Sequence, residues 1–181
     1  MISKWINKNK IKALRSMIFV LLIGTFAVVN FGCGAYSFTG SSVPAHLKTI
    51  SIPVAQDKSP AAIPGLRESL TDDLIQKFIN DNSLQVSGVT SADASLNCVI
   101  TSVTDVPAIV SAGEQISARK LTITVRVLYK DLVMKKTVFE KDFSGFGEYV
   151  PAQATNERED AIAIAVNNIS EDILLAVVSG W

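Results

Sequence analysis

Cysteine and histidine are almost missing from this chain: Cys33, Cys98 and His46 are the full complement in 181 residues. Two cysteines far apart in sequence exclude a CxxC redox pair and a thiolate zinc cluster within the chain. G-x-S-x-G, HExxH, P-loop and dinucleotide fingerprints are also lacking, so neither a hydrolytic triad nor a nucleotide cradle can be drawn. Asp72 and Asp73 are adjacent on an expected helix and so point apart, and no other spacing selects two carboxylates for acid and base work. The expectation is a protein that is not an enzyme and needs no metal or cofactor.

Acid is absent from the first 15 residues, which carry Lys4, Lys8, Lys10, Lys12 and Arg15. An uncharged, apolar run from Met17 to Val29 follows. A basic start and a short apolar core are the layout of an export signal. The run falls short of the roughly 20 residues a helix needs to span a bilayer. It ends in Asn30-Phe31-Gly32-Cys33, where Gly32-Cys33 resembles the lipobox of bacterial lipoprotein precursors, although Asn30 stands where that motif has an aliphatic residue. The expected organisation is a signal peptide over 1–32, an acylated tether over 33–48 and one periplasmic domain over 49–181. Cys33 is the expected lipidation site, carrying palmitate-type chains; two or more such chains anchor a protein stably.

Five of the 17 basic residues precede Cys33, which leaves 12 against 17 acidic residues in the processed chain. Such an acidic balance argues against nucleic acid as a partner, since that needs clustered Lys and Arg. Cys98 shares a period-2 face with Leu96 and Ile100 and reads as a small buried hydrophobe. The alternative is a disulfide to Cys33, which excludes acylation.

The periodicity predicts strand, helix, three or four strands, helix. Ile50, Ile52 and Val54 alternate as a first strand, with Pro53 at its end or on a free edge. Ile63, Leu66, Leu70, Leu74, Phe78 and Ile79 form one helical face ending near Asn80. Short alternating pieces cover Leu84 to Val86 and Leu96 to Val103, and Pro107 to Ala118 reads as a long irregular loop. Leu121, Ile123, Val125, Val127 and Tyr129 face one way along the clearest strand, while Lys120, Thr122, Thr124, Arg126 and Lys130 face the other. A turn at Asp131 to Met134 pairs this strand with one through Val138, Phe139 and Phe143, closed by Gly145 and Gly147. Asn156 and Glu159 have capping-box spacing ahead of a helix bearing Ile162, Val166, Ile169, Ile173 and Val177. The fold class is α+β in two layers, two helices packed on one face of a mainly antiparallel sheet.

After Cys33, Arg119, Lys120, Arg126, Lys130, Lys135 and Lys136 are the one local basic concentration, on or beside the central hairpin. Two readings stand: a site for lipid phosphates, to which Arg and Lys are suited, or a solvated strand face whose lysines discourage edge pairing.

Gly32-Cys33-Gly34-Ala35-Tyr36-Ser37-Phe38-Thr39-Gly40, Ser51-Ile52-Pro53, Arg119 to Val125 and Ile169 to Trp181, in this order and spacing, resemble the LPS-assembly lipoprotein family LptE. The resemblance implies a two-helix, roughly four-stranded domain at the outer membrane, lipid-anchored and facing the periplasm. It implies a plug and assembly partner for the β-barrel LptD that takes part in lipopolysaccharide transport and insertion. The alternative is a structural chaperone or pilot of another outer-membrane complex that binds no glycolipid.

Overall fold

The computed structural model describes residues 43–111, 115–151 and 156–179, with side chains of 109–117 left aside. All of them belong to one unit, Ser41–Trp181. The expected signal peptide, Cys33, most of the tether and Trp181 lie outside the described residues.

The first strand is interrupted: β1 (Thr49–Ser51) and β2 (Gln56–Asp57) run beside the same neighbour with Pro53 between them. Proline has no N–H to give a ladder, which accounts for the gap. Ile50 and Ile52 are buried as the alternation predicts, but Val54, expected on the same face, is exposed because the pleat is lost at the break.

Helix α1 (Leu66–Asp81) starts after Gly65 and ends at Asn82, whose left-handed backbone lets its N–H reach the Phe78 carbonyl at 3.0 Å. A left-handed residue just past the last turn is a common helix stop, and Asn tolerates it better than most. Leu66, Leu70, Leu74 and Phe78 are buried. Ile79 sits at the margin of the apolar stripe and is exposed. The helix is followed by β3 (Gln85–Val86), which pairs parallel with β1. Parallel neighbours need a crossover, and α1 supplies it.

Three long strands form the rest: β4 (Ala94–Ser111), β5 (Gln115–Asp131) and β6 (Lys136–Tyr149). Both pairings among them are antiparallel, and the sheet order is β3-β1-β4-β5-β6 with β2 also on β4. The sheet is thus six-stranded and mixed. β1, the three long strands and the short piece at Leu84 to Val86, which forms β3, were all expected, and the short parallel β2 is the addition.

Pro107 to Ala118, expected as an irregular loop, is largely strand: Val106 pairs with Lys120, Pro107 with Arg119 and Ser111 with Gln115. Register shifts at Pro107/Ile109 and Ile109/Val110 break the alternation, and bulges of this kind hide a strand from a period-2 reading. Because β6 stops at Tyr149, opposite Arg119, this end of the β4–β5 hairpin extends past its neighbour as a two-stranded ribbon.

Leu121, Ile123, Val125, Val127 and Tyr129 are fully buried on one face of β5, beside Leu96, Cys98 and Ile100 of β4. Helix α2 (Asn156–Ser179) covers this face through Ala161, Ala165, Val166, Ile169, Ile173 and Val177, and it packs on β6 and on α1. Gly145 and Gly147 do not close the hairpin; they lie within β6 under this helix. A Cβ on Gly145 would sit 2.7 Å from Ile169 Cγ1, and one on Gly147 2.7 Å from Ala161 Cα. Two glycines facing two alanines therefore let helix and strand backbones touch. At the start of α2, Glu157 rather than Glu159 reaches back, accepting the Val150 N–H at 3.0 Å.

Candidate functional site

The sheet face opposite the helices is mostly polar, with Val99, Val106, Leu128 and Phe146 set among its polar residues. Ser102, Thr104, Thr122, Thr124, Ser144 and Arg126 share it by register. Its polar groups satisfy one another: the Thr124 and Ser144 hydroxyls are 3.0 Å apart, and Arg126 forks onto Asp142 at 2.9 and 3.1 Å. The Arg126 guanidinium holds the Asp142 carboxyl below its ordinary value through these hydrogen bonds. Lys120 on the same face stands 3.7 Å over the ring of Phe146, a cation–π contact.

The six basic residues singled out from the sequence do not form one cluster. Arg119 lies on the helix-facing side at one end of β5, where Nε donates to Asp105 Oδ1 at 2.7 Å and Nη2 to the Asp105 carbonyl at 2.7 Å. Asp105 Oδ2 accepts from Tyr149 at 2.7 Å and from Arg158 at 3.5 Å. Burial pushes the Asp105 carboxyl up, but the Tyr149 hydroxyl and Arg119 outweigh it and keep the group below its usual range. A carboxylate engaged on both oxygens is a clasp between sheet and helix, not a poised base. This clasp was not foreseen, because it joins residues from β4, β5, β6 and α2 that only the register brings together.

Lys130, Lys135 and Lys136 gather at the other end of β5, around a shallow depression of about 240 Å³ that they line with Asp131, Leu132 and Thr137. Among the described residues none of the three lysines has a direct ion-pair partner. Beneath them Asp131 is fully buried, accepting from Met134 N–H at 2.7 Å and contacting His46 Nε2 at 2.8 Å. Desolvation alone would raise the Asp131 carboxyl; the Met134 and His46 bonds overcome it and hold it below its ordinary value. The segment entering the domain is thereby fastened to the β5–β6 turn. Asp93 reinforces it, taking the N–H groups of Lys48 and Thr49 at 3.0 Å each, and Leu47 is already in the core.

Cys98 is a buried free thiol whose burial pushes it up to about 12. It is protonated at neutral pH and packs with Leu96 and Ile100, in line with the sequence reading. Among the described residues no group of three or more His, Cys, Asp or Glu side chains is arranged to hold a metal.

Solved structures share the fold at low sequence identity. The hypothetical protein CT253 from Chlamydia trachomatis superposes with a TM-score of 0.56 at 9% identity, over 74% of this chain and 97% of that one. Uncharacterized lipoprotein B from Nitrosomonas europaea gives 0.53 at 14%, over 81% and 90%. Protein XCC0632 from Xanthomonas campestris gives 0.51 at 13%, over 77% and 91%. No curated protein shows significant sequence similarity to the chain. The lipopolysaccharide-assembly family LptE matches residues 47–177, nearly all of the described domain, and the chain therefore belongs to the LptE family.

Proposed function

We propose that this chain is an outer-membrane lipoprotein, with residues 1–32 as signal peptide and Cys33 acylated, that seats a periplasmic domain in the β-barrel LptD and takes part in lipopolysaccharide transport and insertion. The observation that carries the reading is the open sheet face. Thr124 pairs with Ser144 and Arg126 with Asp142 on a surface that Thr122 shares and no helix covers, and the wet lumen of a large barrel accepts such a plug. Lys130, Lys135 and Lys136 are the cations best free to meet lipid phosphates; Arg119, Lys120 and Arg126 stand further along the same strand. The role is assembly, without catalysis.

Affinity purification of the acylated protein, with mass spectrometry of what accompanies it, tests the partner; recovery of no β-barrel overturns the plug. Reversing Arg126, Lys130, Lys135 and Lys136 to Glu tests the phosphate contact, with an expected salt-dependent loss of glycolipid binding, since exposed charges are screened over about 8–10 Å. A second reading, a structural chaperone that binds no glycolipid, is favoured by the internal pairing of Arg126 with Asp142 and of Arg119 with Asp105. It moves ahead if the reversed protein binds lipopolysaccharide as wild type does.

A further inference from the structure

The β5–β6 turn carries three large apolar residues in succession, and each is open to solvent: Leu132 is 37% exposed, Val133 53% and Met134 59%. A polar or glycine-rich sequence would make such a turn more cheaply. On either side of them stand Lys130, Lys135 and Lys136. Asp131, the turn's one acid, is buried beneath and engaged by Met134 N–H and His46, so the exposed tip presents apolar and positive groups only.

We propose that this turn is a membrane-seating tip, Leu132, Val133 and Met134 entering the headgroup region of an anionic bilayer while Lys130, Lys135 and Lys136 meet its phosphates. Four observations support the lipid surface over a protein partner. Lysine is depleted in the cores of protein interfaces, whereas a lysine beside inserted apolar residues lays its stem along them and keeps its ammonium among the headgroups. The tip is positive in a chain whose residues after Cys33 are net acidic, so the attraction is local and directional. The turn is held in shape before any contact, by the Asp131 bond to Met134 and by Leu132 N–H on the Asp93 carbonyl at 2.8 Å. Lys135 has φ 54°, a left-handed position where glycine is cheaper, and the chain nevertheless places a cation there.

Location agrees with chemistry. His46 fastens the entering segment to this turn, and Val43 is ten residues beyond Cys33. Ten extended residues reach at most roughly 35 Å, so an acylated Cys33 keeps the tip within range of the bilayer that holds the acyl chains. This last step rests on the proposed anchoring; the chemistry of the tip does not.

The test places an environment-sensitive fluorophore on Val133→Cys in the membrane-extracted chain, with Cys98→Ala for selective labelling, reconstituted into vesicles. With phosphatidylglycerol present, the expected result is blue-shifted emission quenched by spin labels on the acyl chains. Combined Lys130→Glu, Lys135→Glu and Lys136→Glu should weaken seating by about tenfold or more, each lysine near an anionic surface adding several-fold. Lys135→Gly should weaken seating in part while leaving the melting temperature unchanged or raised, which separates lost charge from lost fold. A fluorophore that stays in water on every vesicle overturns the proposal. So does one shielded only after a protein partner is added, or only when lipopolysaccharide is in the vesicle, the latter outcome favouring glycolipid binding. Intact mass reports Cys33 separately: if Cys33 is unmodified, Cys33→Ser restores selective labelling and a seated tip then defeats the anchor alone, and an acylated Cys33 with a water-exposed tip defeats the tip alone.

Discussion

At the residue scale the tightest constraint is the contact between β6 and α2. A methyl on Gly147 would enter the Ala161 backbone, its carbonyl oxygen included, and a helix backbone cannot yield as a side-chain end does. Gly147→Ala should therefore lift the first turns of α2 off the sheet and cost about 1–3 kcal/mol or more by overpacking, read as a lowered chemical-denaturation midpoint with the slope unchanged. Cys98→Ala is the opposite case. It removes a buried sulfur from the face shared with Leu96 and Ile100 and touches no polar partner, so about 1 kcal/mol is expected, with partner binding preserved. Loss of binding by a folded Cys98→Ala protein would show that the thiol does more than pack. The burial of Cys98 was legible because strict alternation runs through Leu96, Cys98 and Ile100. The glycines were misread because in sequence a glycine pair resembles a turn, and only the facing Ala161 and Ala165 reveal a close approach.

At the element scale, α1, α2 and the inner face of β5 were legible for one reason: each repeats its apolar residues over several periods with no interruption. Where the period breaks, at Pro53 between β1 and β2 and at the bulged end of β4, the strands are not legible in the sequence. The basic residues were visible as a group along the chain, but β5 is too long for them to be a group in space. Arg119 and Lys130 lie at opposite ends of the same pairing with β6. The Asp105, Arg119, Tyr149 and Arg158 clasp joins four elements, and its loss should act on one of them. Asp105→Asn removes the charge that Arg119 and Arg158 share, so amide exchange should accelerate in residues 156–162 while Leu121 to Tyr129 stay protected, as local opening predicts. Uniform acceleration across both regions would mean that the clasp supports the entire fold and not the helix start.

At the scale of the whole molecule, Asp93, Asp105, Asp131 and Asp142 are each held below their ordinary values. A carboxyl whose folded pKa lies below the unfolded value of about 3.9 binds fewer protons in the folded state across that interval, so stability there rises with pH. The contribution is fully present above the unfolded value and is lost as pH falls through the folded ones. Asp142 is exposed and its pairing with Arg126 is screened, so it adds little. Asp131, fully buried between His46 and the Met134 N–H, is the carboxylate whose protonation should matter most, because it leaves the entering segment and the β5–β6 turn without their common fastening. Asp131→Asn should lower stability at neutral pH by about 1–3 kcal/mol, the usual cost of disturbing a buried hydrogen-bonded group, and should flatten the acid limb between roughly pH 5 and pH 2. The measurement is a denaturation midpoint at a series of pH values for wild type and variant. Parallel curves would assign the acid limb to Asp93 and Asp105, whereas curves that converge toward low pH would place it at Asp131, in the same fastening that sets the turn beside the chain's entry.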